Sequence, residues 1–158
     1  MKKFAANYLV SDTGKFLKNG IVVATEEGEA VEFIDPGDDL REIAQLIFYN
    51  GILITNFRFI RVHSDFLGNG SVSPLDSRII ELVADLKEVV IQNVIETGMQ
   101  IQVQFPEMTI PQILIEITNS LLNHGRFSRM HVSGIYLLSG VNLPDLKFTN
   151  RSRLKKIL

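Results

Sequence analysis

The chain has 158 residues, 46% of them hydrophobic, with 11 Gly, 5 Pro and neither Cys nor Trp. A length of this kind is one ordinary domain burying roughly 68–70% of the surface its unfolded chain exposes, so a single domain over 1–158 is expected. Sixteen basic residues among eighteen acidic ones leave a net charge of −2, too even a balance for a nucleic-acid footprint. The absence of cysteine excludes disulfides, thiolate zinc sites and cysteine nucleophiles.

Lys2 and Lys3 precede an apolar stretch, but Asn7 interrupts it and Ser11-Asp12 ends it, so no signal-peptide core is expected. Elsewhere Asn50, Asn56 and Arg58 break the apolar runs well short of the roughly 20 residues of a membrane helix. The expectation is a cytoplasmic protein without nucleic-acid or membrane partners.

The first third reads as strands and tight turns. Residues 4–10 form a candidate strand closed by Asp12-Thr13-Gly14. The β-branched runs 21–25 and 31–34 flank Glu26-Glu27-Gly28-Glu29, a hairpin signal in which Gly28 supplies positive φ. After a loop at 35–39 and a helical turn over 41–44, the runs 46–49 and 52–54 sit either side of Asn50-Gly51, a pair suited to a type I′ turn. Residues 57–63 then alternate, with Phe57, Phe59 and Arg61 on one face and Arg58, Ile60 and Val62 on the other. This part is β.

Gly68-Asn69-Gly70-Ser71 is the best internal break. A helix starts after it, with Ser73 as N-cap, Pro74 at the first helical position and Asp76 in the first turn. Ile79, Val83, Leu86, Val90 and Val94 repeat at steps of three or four, and Gly98 is the expected stop. A helix so apolar is buried on most sides or lies in a subunit interface. Residues 99–105 read as an extended segment ended by Pro106. Thr109-Ile110-Pro111-Gln112 is a capping box opening a second helix that stops near Gly125. Residues 134–139 and 146–149 return to strand patterning, and 151–158 is a basic amphipathic tail in which Leu154, Ile157 and Leu158 can dock.

The chemistry-bearing residues are sparse. His63 and Asp65 are the one His-x-Asp pair and the candidates for a metal or acid–base site, but a transition metal needs three or four donors. His124 and His131 reach them only through tertiary folding. There is no metal-binding helix motif and no nucleophile elbow. Gly68 and Gly70 read as a connector. Arg58 and Arg61 are the candidates for small-anion binding. Arg126, Arg129 and His131, and separately Arg151, Arg153, Lys155 and Lys156, read as solvated basic patches.

One string resembles a known family. Phe48-Tyr49-Asn50-Gly51-Ile52-Leu53-Ile54-Thr55-Asn56-Phe57 is similar to the segment that enters the barrel in the amidohydrolase superfamily. The resemblance is to its aminohydrolase/chlorohydrolase-like branch, where the pattern runs N-G-I-L-x-P-G-F-V-N-x-H-x-H. The opening (Ala6-Asn7-Tyr8, Gly14, Asn19-Gly20-Ile21-Val22-Val23) looks familial too. So does the close: Gly125-Arg126-Phe127, then Ser133-Gly134-Ile135-Tyr136-Leu137-Leu138, and a last stretch from Leu146 to Leu154. Carried over, the family's Pro-Gly falls on Thr55-Asn56 and its two metal histidines on Arg61 and His63. A guanidinium cannot ligate a cation, and a (β/α)₈ barrel takes roughly 200–250 residues, for which 68–98 has no room.

The resemblance therefore implies the family's small composite β domain with its barrel replaced by helices. Patterning and resemblance converge on an α+β fold: a small β-sandwich or partly open barrel built from both chain ends, with two helices, about 74–97 and 110–124, between them. The parts would be a β-rich 1–66, a helical connector 67–125 and a returning hairpin with tail over 126–158. The expected function is a non-catalytic interaction or oligomerisation module without cofactor. Its partner is a second copy, held through Ile79, Val83, Leu86, Val90 and Val94, or another protein. The alternatives are a residual metal-dependent hydrolase on His63 and Asp65, and a small-anion or ligand site on Arg58 and Arg61.

Overall fold

The β-branched and aromatic residues of the first third form strands in the computed structural model, which describes residues 1–37, 43–61, 73–125 and 127–158. In chain order the elements are β1 (Lys2–Ser11), β2 (Phe16–Lys18), β3 (Ile21–Ala24), β4 (Ala30–Ile34), β5 (Leu46–Thr55), β6 (Arg58–Arg61), α1 (Pro74–Val83), β7 (Glu88–Val90), α2 (Ile91–Gln104), α3 (Ile110–Asn123), β8 (Phe127–Arg129), β9 (Ile135–Ser139) and β10 (Arg153–Lys156). The class is α+β.

Local chemistry explains most boundaries. The β3–β4 hairpin forms as its sequence predicts, with Thr25 N–H donating to the Glu29 carbonyl at 2.9 Å and Gly28 at φ 87°. Ser73 caps α1, its Oγ accepting from Asp76 N–H at 3.1 Å. Thr109 N–H donates to Gln112 Oε1 at 2.9 Å, the back-reaching half of the expected capping box.

Four expectations are corrected. Asn50-Gly51 is no hairpin turn: β5 runs through it as one ten-residue strand. The expected helix over 74–97 is two helices, because Val89, Val90 and Ile91 are β-branched and β7 pairs with β6 before α2 begins. Val90 N–H then donates to Asn93 Oδ1 at 3.0 Å, giving α2 its own start. That helix runs through a buried Gly98 and takes in Met99–Gln104, where an extended segment is expected. At the far end the last strand is Arg153–Lys156, not 146–149, whose Lys147 lies in an isolated bridge with Asn142.

The contacts divide the chain into two compact units, Met1–Asn56 with Val132–Leu158, and Phe57–His131. The first is a seven-stranded sheet of order β10-β9-β5-β1-β3-β4, with β2 also paired to β1. β1 and β5 are parallel; the other neighbours are antiparallel. Both chain ends thus build one sheet. It is not a closed barrel, but it curls: a Cβ added at Gly28, in the β3–β4 turn, would lie 2.9 Å from the Leu158 carbonyl carbon beyond β10. Inside the curl lie Phe4, Ala6, Leu9, Val22, Leu53 and Ile135, with Ile157 and Leu158 packed against them, so the tail docks as expected.

The second unit holds the antiparallel sheet β7-β6-β8 and the three helices, which pack on one another, with α3 also against β8. Phe59 is fully buried in β6, while Ile60 on the opposite face is exposed, the alternation expected of that strand.

Candidate functional site

Strand β5 has two unlike halves. From Ile52 to Thr55 it is flanked by β1 on one side and β9 on the other. From Leu46 to Tyr49 it keeps β1 alone, and from Leu46 to Asn50 no strand among the described residues pairs with its other side. Side chains follow the ladders. Ile52, Leu53 and Ile54 are fully buried, whereas Ile47 is 47% and Phe48 55% exposed.

Register explains what surrounds Phe48. Ala5 opposes Phe48 across the β1–β5 ladder and Ile21 across the β1–β3 ladder, so the three form one row on the face opposite Phe4 and Val22. A methyl between two large side chains leaves a depression. It is an apolar concavity of about 360 Å³, lined by this row together with Asn19, Pro36, Ile43 and Leu46. Asn19, at φ 52°, is the one polar side chain there among the described residues. What such a surface can do is take apolar groups out of water, at roughly 25 cal/mol per Å², while the strand edge offers backbone hydrogen bonds.

Position 51 divides the halves physically. Gly51 has φ 143°, and a Cβ there would lie 2.5 Å from the Leu138 carbonyl oxygen. The register shifts opposite it, between Ala6 and Tyr8, and Asn7 Oδ1 accepts from Gly51 N–H at 2.7 Å. Asn50-Gly51 is a sequence signal for irregular backbone that was legible; only its kind was not.

The residues singled out from sequence fall elsewhere. His63, Asp65, Gly68, Gly70 and Arg126 lie outside the described residues. Arg58 places Nε and Nη2 at 3.1 and 2.7 Å from Glu88 Oε2, an ion pair that joins β6 to β7. Arg61 Nη1 donates to the Ala84 carbonyl at the C-cap of α1, at 3.2 Å, where a cation suits the helix terminus. Both guanidiniums therefore have structural partners. Ile79, Val83 and Val94 are buried, and Leu86 and Val90 half-buried. The stripe they were expected to form on one helix is spread over α1, a turn, β7 and α2. Among the described residues no three His, Asp or Glu side chains gather as a metal-binding group, and no helix is long and apolar enough to cross a membrane.

Phe48 and Ala5 carried no sequence signal as a site. Their row exists only through the β1–β5 and β1–β3 registers, which join residues far apart in the chain. No family model, curated protein or solved structure gives a significant match to this chain.

Proposed function

We propose that the chain is a protein-interaction module, a barrel-less relative of the amidohydrolases, whose curled sheet offers an apolar strand edge to another polypeptide. The observation that carries this reading is that Ile47 and Phe48, on opposite faces of a stretch of β5 whose one side is open among the described residues, are half exposed, with Phe48 lining the concavity floored by Ala5. Adjacent exposed large apolar side chains at such an edge mark interaction sites.

Two observations support the kinship. Residues 2–55 and 135–156 share one sheet, the both-ends layout of the resembled composite domain. Asn56, which stands where the resembled pattern has glycine, has φ 60°, a conformation that favours glycine. The family's metal does not suit the described part of the motif. At the position of its first histidine, the Arg61 guanidinium donates to a backbone carbonyl, and a donor-only group cannot hold a cation. No chemical step is assigned to it.

Light scattering of the untagged chain from about 1 to 100 μM, a range set by weak protein association, tests the reading. A mass that climbs above the 17.8 kDa monomer supports self-association. A monomer throughout contradicts it.

A further inference from the structure

Among the described residues four stretches of the curled sheet have an open side, β2 with its Lys18, β4, β10 and residues 46–50 of β5, and their chemistry differs. β4, at one end of the strand order, carries Glu32 at its centre; β10, at the other end, carries Arg153, Lys155 and Lys156. Pairing either edge with its own copy sets like charges face to face, a standard protection of sheet edges. The open stretch of β5 reads Leu-Ile-Phe-Tyr-Asn, without charge or proline. It lacks the protections its neighbours have.

We infer that residues 46–50 pair antiparallel with the same residues of a second copy of this chain, about a two-fold axis through Phe48. The inference rests on the interaction-module reading and names its partner. In this register Phe48 opposes Phe48 of the second copy, Ile47 opposes Tyr49, and Leu46 opposes Asn50. No charge meets a like charge. Aromatic–aromatic and aromatic–β-branched oppositions are the pairs that stabilise a sheet. An antiparallel strand pairing of identical segments is isologous, so it closes at a dimer.

Neutrality selects a second copy over the charged edges. Docking β4 or β10 there instead would desolvate Glu32, or the Arg and Lys residues of β10, against Leu46, Ile47 and Phe48, which offer no countercharge. On the outer face the two Phe48 rings meet next to the two concavities lined by Ala5, Ile21 and Leu46, so the apolar surface becomes continuous across the axis.

The chain has no cysteine, so a single introduced thiol reports only on contacts between copies. Directly opposed cross-strand Cβ atoms lie about 4.5–5.5 Å apart, within a small adjustment of disulfide geometry. Phe48→Cys is expected to form an oxidised dimer at least about tenfold faster than Val31→Cys, whose site on β4 is similarly exposed at 47%. Mixing Leu46→Cys with Asn50→Cys keeps Phe48 and is expected to link the two variants to each other rather than to themselves. If the wild-type chain associates but neither probe exceeds Val31→Cys, the pairing is overturned and the interaction-module reading survives. If the wild-type chain stays monomeric at every concentration, the pairing falls, and the interaction-module reading falls with it when a pull-down also recovers no partner.

Discussion

The two halves of β5 share a strand, a neighbour in β1 and nearly the same composition, yet Leu53 is fully buried while Phe48 is more than half exposed. The difference lies in the second ladder. Where β9 pairs, apolar side chains become core; where β9 has not yet begun, the same residue types become surface. Apolar residues at a strand edge are then a property of topology rather than composition, and an edge without charge is informative because its neighbours are charged.

Breaking the paired half should have the largest effect. Leu53→Ala removes a fully buried side chain of the curled core and is expected to destabilise by about 3–4 kcal/mol, read as a lower urea midpoint. Gly51→Ala forces a Cβ to 2.5 Å from the Leu138 carbonyl at a φ of 143°, at an expected cost of about 2–3 kcal/mol. It separates β5 from β9 at the point where the halves meet. Asn7→Ala leaves Gly51 N–H without its 2.7 Å acceptor and should cost about 1–2 kcal/mol. Denaturation curves rank these three; a reversed order between Leu53→Ala and Asn7→Ala would contradict the account.

Smaller effects sharpen the contrast. Asn56→Gly relieves a positive φ and removes a buried Oδ1 that has no hydrogen-bond partner, so it should stabilise by about 0.5–1 kcal/mol. Phe48→Lys touches only the open half and should change monomer stability by no more than about 0.5 kcal/mol, while lowering self-association. The smallest effect belongs to Glu26, whose carboxyl is held below the usual carboxylate range, first by a hydrogen bond from Lys2 and then by that ammonium's charge, 2.9 Å away. Because its folded pKa is depressed, the pair's contribution is present above the unfolded carboxylate value and fades as pH falls through the folded one. A carboxyl NMR titration should show Glu26 returning to the usual range in Lys2→Met.

Much of the fold was legible because its signals are local. The Ser73 and Thr109 caps and the Glu26–Gly28 hairpin each rest on a few adjacent residues, and each forms. Asn50-Gly51 misled because an isolated Asn-Gly pair specifies irregular backbone without saying whether the chain reverses. Here parallel pairing to β1 overrides the turn, and Gly51 serves close approach to β9 instead. The helix over 74–97 failed for a similar reason: Val89 and Val90 fit a helical stripe as well as a strand, and their pairing with Phe59 and Arg58 decides. The candidate site was invisible because its row of Ile21, Ala5 and Phe48 is assembled by two ladders.

The most direct test of the account compares amide exchange along β5 at low and high protein concentration. Backbone amides within 46–50 should gain protection as concentration rises, while Leu53 and Ile54, already between two strands, stay unchanged. Equal protection of 46–50 at both concentrations would contradict the claim that this edge is where the protein meets its partner.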